Sequence, residues 1–113
     1  QKTLIARALV NDPKLLILDE PCIGLDPASR ERFLQDLDGF AARVESPTMV
    51  LVTHHIEEIR PWISEVMMLK DGKVLAQGAP EETITSVKMG ELFGCQCRVG
   101  RSENGYWLRM ETT

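Results

Sequence analysis

Leu15-Leu16-Ile17-Leu18-Asp19-Glu20-Pro21 constrains this chain more than any other stretch, because four consecutive aliphatic residues run straight into two carboxylates and a proline. A run without polar alternation is that of a parallel strand covered on both faces by helices. Met49-Val50-Leu51-Val52 is a second strand of the same kind. Between the two, Phe33, Leu34, Leu37, Phe40, Ala41 and Val44 recur at intervals of one, three or four among charged residues, which predicts an amphipathic helix running to about Val44. Asp26 followed by Pro27 supplies its N-cap and first helical position. The order strand, helix, strand predicts an α/β fold with parallel strands. Ligands of open α/β sheets bind at the carboxyl ends of the strands, so Asp19 and Glu20 stand where a ligand would meet them. One carboxylate there can approach a cation while the other faces a water. The plainer alternative is a strand that ends in a solvated turn.

The rest of the chain is divided by its prolines and glycines. Leu4, Ile5, Ala8 and Leu9 share helical spacing over residues 2–10, and Asn11-Asp12-Pro13 stops that helix. A short helix from about Ile56 to Arg60 is cut off by Pro61. Val66-Met67-Met68-Leu69 and Val74-Leu75-Ala76 flank Asp71-Gly72, a dipeptide suited to a tight hairpin turn, with Met67 and Met68 as strand core. Gly78-Ala79-Pro80 opens a helical stretch through about Phe93. Cys95 to Val99 and Tyr106 to Met110 form a second hairpin across Asn104-Gly105.

Composition excludes several functions. The 113 residues carry 13 Lys+Arg against 17 Asp+Glu, a net charge of −4 with no basic cluster, so neither nucleic acid nor an anionic membrane surface is expected as a partner. Trp62, Tyr106 and Trp107 are too few and too separated for a base-stacking platform. No apolar run approaches the about 20 residues that span a bilayer, and Gln1 to Val10 lack the pattern of a signal peptide, so a cytoplasmic chain is expected. Three cysteines make no disulfide framework, which fits a reducing compartment. Cys95-x-Cys97 sets two thiols on one face of a strand, as a soft metal would need, but the sequence offers no obvious further ligands. Two ordinary half-buried cysteines are the alternative.

Residues 2–80 resemble the carboxyl half of an ABC-type ATPase domain. Lys2-Thr3-Leu4-Ile5-Ala6-Arg7-Ala8-Leu9 is similar to the helix after the family's signature motif, and Leu15 to Pro21 to its Walker B strand. Gly24-Leu25-Asp26-Pro27 resembles the D-loop in its transporter form, Val52-Thr53-His54 the switch-histidine segment, and Asp71 to Gly78 the hairpin that closes the core. The resemblance implies a partial P-loop NTPase (RecA-like) core with parallel strands at 15–18, 49–53 and 65–70, followed by small C-terminal hairpins. Residues 1–80 would be the ATPase half and 81–113 an appendage, whose Glu91-Leu92-Phe93-Gly94 is reminiscent of stand-alone ATP-binding subunits.

By the same resemblance, Asp19 would hold the Mg²⁺ shell and Glu20 would polarise the attacking water of ATP hydrolysis. His54 would donate to the γ-phosphate or the water, and Asp26 would sit at a dimer seam against a second ABC ATPase domain. An N-cap-like role for His54 at the helix from Ile56 is the alternative, and His55 is expected to face solvent. Membrane-embedded transporter subunits would be further partners, with the protein peripheral to the inner face of the cell membrane.

The phosphate-binding G-x-x-x-x-G-K-[ST] does not occur in the 113 residues. The chain alone is therefore expected neither to grip ATP nor to turn it over. In the family core the phosphate-loop strand lies between the strands at 49–52 and 66–69. Without it the chain is expected to self-associate through open edges, or to pair Val66–Leu69 directly with Val50–Val52. Gln1 opens in mid-motif, which favours a piece of a longer ATPase. The alternatives are a non-catalytic protein that binds partners and a soluble ABC protein outside transport.

Overall fold

The computed structural model describes residues 14–103 and 105–111; the helix expected over 2–10 lies outside them. The chain divides into two units between His54 and His55.

In the first unit, β1 (Leu15–Asp19), α1 (Pro27–Ala41) and β2 (Thr48–Val52) form a strand-helix-strand crossover. β1 and β2 pair in parallel, from Leu15 opposite Thr48 to Asp19 opposite Val52. Asp26 caps α1: its Oδ1 accepts from the Ser29 amide at 2.8 Å, and Pro27 fills the first turn, where an amide hydrogen would have no partner. The helix buries Phe33, Leu34 and Leu37. It ends at Ala41 rather than at Val44, because the chain tightens into a turn in which the Arg43 amide donates to the Phe40 carbonyl. Val44 is left fully exposed.

Cover of β1 on both faces is not what forms. Successive strand residues face opposite sides, and only Leu16 is buried, while Leu15 and Ile17 are 53% and 61% exposed. Val50, the register partner of Ile17, and Val52 are exposed too. Leu15, Ile17, Val50 and Val52 thus remain open on the sheet.

The second unit holds a 3₁₀ turn (Ile56–Glu58), β3 (Val66–Lys70), β4 (Lys73–Gly78), α2 (Pro80–Thr83), α3 (Ser86–Phe93), β5 (Cys97–Ser102) and β6 (Gly105–Met110). Its core is Ile56, Met68, Ile84, Met89, Cys97 and Tyr106. The strand expected to be parallel at 65–70 is antiparallel instead: β3 pairs with β4, and β5 with β6. Asp71 and Gly72 both take positive φ, which closes a two-residue turn and returns the chain on itself. Pairing of Val66–Leu69 with Val50–Val52 does not form; the ladder of β3 runs to β4 and that of β2 to β1. Met67 is exposed, so only Met68 of the methionine pair is core.

Two helical expectations also shorten. Over Ile56–Arg60 only the 3₁₀ turn forms, since Pro61 bars Arg60 from the α region and leaves too few residues for an α-helix. The stretch from Pro80 to Phe93 breaks at Ile84 and Thr85. There Thr85 turns its hydroxyl to the Lys88 amide at 3.2 Å and starts a new helix. Among the described residues, no helix is long and apolar enough to cross a membrane.

Candidate active site

Parallel pairing delivers the carboxyl ends of β1 and β2 side by side. The Glu20 amide donates to the Val52 carbonyl at 2.8 Å, so the ladder continues one residue past Asp19. Glu20 takes a left-handed backbone conformation, φ +47°. A non-glycine residue there is held against its preference, and such positions cluster at functional sites. Pro21 follows, and the turn closes through bonds from the Ile23 amide to the Glu20 carbonyl and from the Leu25 amide to the Cys22 carbonyl. Asp26 then starts α1.

His54 lies two residues beyond β2. Its Nε2 stands 3.1 Å from Glu20 Oε1, with the imidazole 84% exposed and the Glu20 side chain 23% exposed. The approach lacks hydrogen-bond alignment: Glu20 Oε1 is buried and accepts no hydrogen bond. A buried acceptor left open next to an accessible imidazole is a position for a donor such as a water molecule. A carboxylate can draw a proton from such a water while the imidazole N–H donates to a neighbouring anionic oxygen.

Of the residues singled out in the sequence, Glu20 and His54 are brought into contact. Asp19 is exposed at the end of β1. Asp26 is exposed and turned to its own helix, with Oδ1 and Oδ2 engaged by the amide and hydroxyl of Ser29. Those bonds hold its carboxyl below the usual value, the backbone bond foremost. His55 is exposed. No group of three His, Cys, Asp or Glu able to hold a metal ion occurs among the described residues. Asp19 offers one exposed carboxylate at the end of β1, and Mg²⁺ keeps several waters and takes one or two carboxylates together with substrate phosphates. Sequence reasoning did not reach the left-handed backbone of Glu20 or its bond to Val52, because both are products of the strand register.

No protein-family profile matches the chain. It is similar to an uncharacterised ABC transporter ATP-binding protein, YlmA, of Bacillus subtilis, 43% identical over 82% of this chain and 35% of the relative. Among solved structures, an inward-facing ABC transporter described as metal-chelate type shares the fold at a TM-score of 0.77 and 24% identity, over 96% of this chain and 43% of that one. CbiO1 of Clostridium perfringens, part of the ABC transporter complex cbiONQ, matches at a TM-score of 0.63 and 33% identity, over 77% of this chain and 34% of that one. The chain spans about a third of the length of the curated relatives it matches.

Proposed function

We propose that this chain, which belongs with the ABC transporter ATP-binding proteins over the residues it shares with them, carries the water-activating part of an ATP-hydrolysing site. The observation that supports this reading is the open acceptor Glu20 Oε1, buried without a hydrogen bond and 3.1 Å from His54 Nε2 at the carboxyl edge of two parallel strands.

With ATP and Mg²⁺ bound, the metal ion neutralises charge on the phosphates. Asp19 is the residue that would hold it, through its exposed carboxylate. Glu20 accepts a hydrogen bond from the attacking water at Oε1 and orients it. Its left-handed backbone, bonded to Val52, fixes where that carboxylate begins. His54, with its proton on Nε2, donates to a phosphate oxygen or to the same water. Asp26, capped onto Ser29, stabilises the turn between the strand and α1 and would face a second ABC ATPase domain.

The P-loop NTPase core of RecA type, its division into an ATPase half over 1–80 and an appendage over 81–113, and assembly with membrane-embedded subunits at the inner face of a membrane belong to the same proposal. Lacking G-x-x-x-x-G-K-[ST], the 113 residues alone do not hydrolyse ATP. The test is a chimera in which this chain replaces the matching stretch of the B. subtilis relative. ATP hydrolysis by the chimera, absent from the isolated chain and lost in Glu20→Gln, is the expected result. A folded chimera that binds ATP and never hydrolyses it, or one in which Glu20→Gln turns over normally, sinks the reading.

A further inference from the structure

Three sulfur atoms converge on one face of the β5–β6 hairpin. Cys97 opens β5 and Met110 closes β6, and the two are register partners, so their side chains leave the sheet on the same side. Cys95 lies in the bend just before β5, and its thiol reaches the same pair of sulfurs. The separations are 3.9 Å from Cys95 Sγ to Cys97 Sγ, 3.6 Å from Cys95 Sγ to Met110 Sδ and 3.4 Å from Cys97 Sγ to Met110 Sδ. Both cysteines are free thiols.

We propose that Cys95, Cys97 and Met110 form a three-sulfur site for Cu(I). Metal–sulfur bonds of about 2.3 Å in a planar trigonal site give sulfur–sulfur edges of about 4 Å. The observed triangle, with edges of 3.9, 3.6 and 3.4 Å, needs to open by at most about 0.6 Å, and two of its corners, Cys95 and Met110, are exposed and free to give. Thiolate and thioether together are the donors that soft Cu(I) takes.

Zinc asks for a fourth ligand in a tetrahedron. The carboxylate at hand, Glu111, is engaged by Arg98, with Nε 3.3 Å from Oε1. No group of three His, Cys, Asp or Glu able to hold a metal ion occurs among the described residues. The set is therefore short of the four protein ligands of a structural zinc site and complete for a three-coordinate soft ion. On binding, each thiol releases its proton to solvent and copper stays in the +1 state, so the loaded site carries one negative charge. Cys97, 7% exposed, anchors the site from within, and Met110, 48% exposed, leaves the ion a way in.

The test is an anaerobic titration of the full chain with Cu(I), supplied as its acetonitrile complex, in competition with bathocuproine disulfonate. X-ray absorption at the copper edge counts the sulfur neighbours. One Cu(I) per chain with three sulfur neighbours, and protection of Cys95 from iodoacetamide, are expected. Met110→Leu, of similar volume, is expected to drop the sulfur count to two and weaken binding by tenfold or more, since even outer partners of metal sites are worth about 10–100-fold. Cys95→Ser is expected to abolish competition with the chelator. Both substituted side chains are exposed, and circular dichroism confirms that the variants fold. The proposal is overturned by copper the chelator strips completely from the wild type, by a sulfur count of two in the wild type, by equal affinity in Met110→Leu, or by Zn²⁺ displacing Cu(I) at equal concentration.

Discussion

His54 Nε2 faces Glu20 Oε1 at 3.1 Å across the ends of two neighbouring strands, yet the carboxylate oxygen accepts no hydrogen bond. The proximity is a product of register. Asp19 stands opposite Val52, so the residues that leave β1 and β2 emerge side by side, and the Glu20 amide closes the last rung on the Val52 carbonyl. A pair held together by main-chain bonds rather than by each other keeps its acceptor and donor available for a third group.

This arrangement predicts the kinetics of the chimera. Glu20→Gln removes the proton acceptor and keeps the shape, so turnover should fall by about 10²–10⁴-fold while nucleotide binding is kept. His54→Ala should also lower turnover. The double variant should be hardly worse than Glu20→Gln alone, because the two residues serve one hydrolytic step. Steady-state hydrolysis with parallel nucleotide-binding measurements distinguishes this from additive losses, which would separate the two roles.

The left-handed backbone of Glu20 makes a second prediction, on stability rather than catalysis. Asn tolerates φ near +47° and Val does not. Glu20→Asn should leave stability nearly unchanged, whereas Glu20→Val should cost about 1–3 kcal/mol. Urea denaturation of the two variants checks it, and equal midpoints would mean that the residue relaxes out of this conformation at no cost.

Asp26 gives the chain a pH-dependent helix start. The Ser29 amide and hydroxyl hold its carboxyl below the ordinary carboxylate value. A group depressed in the folded state contributes its stabilisation in full above the unfolded value, and loses it as pH falls through the folded one. The difference in melting temperature between the wild type and Asp26→Ala should therefore amount to a few degrees near neutrality and shrink below about pH 4. Melting curves across that range decide it; a difference that does not change with pH would assign the effect to helix propensity alone.

What could be read directly from the residues was whatever is local. The Asp26-Pro27 cap, the Asp71-Gly72 turn and the apolar runs of β1 and β2 each depend on neighbours a few positions away. The errors lie where a competing local bond or a distant partner decides. Thr85 offers its hydroxyl as a new cap and splits the last helix. Ile17 and Leu15 look buried in a run of aliphatics, but only Leu16 of the three is buried. Roles for Glu20 and His54 came from a family resemblance, while their contact depends on pairing between strands separated by a whole helix. Met110 stayed unconnected to the two cysteines for the same reason: its register with Cys97 is set by how the hairpin closes.

Gly100 is a tighter test of that hairpin. It stands opposite Trp107, and a Cβ added there would lie 2.0 Å from the indole ring. Gly100→Ala should cost about 1–3 kcal/mol, as overpacking does. Trp107→Ala in the same chain should recover most of the loss. A cycle of the two single variants and the double variant, followed by far-ultraviolet circular dichroism in urea, measures the coupling. Additive losses would show that the indole swings aside freely.

The parallel pairing of the first unit also fixes when the site comes into being. β3 and β4 are joined by a two-residue turn, and a hairpin of that kind closes in about 1–10 μs. β1 and β2 can meet only after the whole of α1 and its flanking turns has been drawn into a closed loop, a slower search that pays its entropy before any rung forms. The rung between Glu20 and Val52 is the outermost one on that ladder. We expect it to be among the last bonds made during folding and among the first to open in the native chain, with the Glu20 amide exchanging its hydrogen faster than that of Leu18. The carboxylate would then be mounted on the part of the scaffold that is finished last.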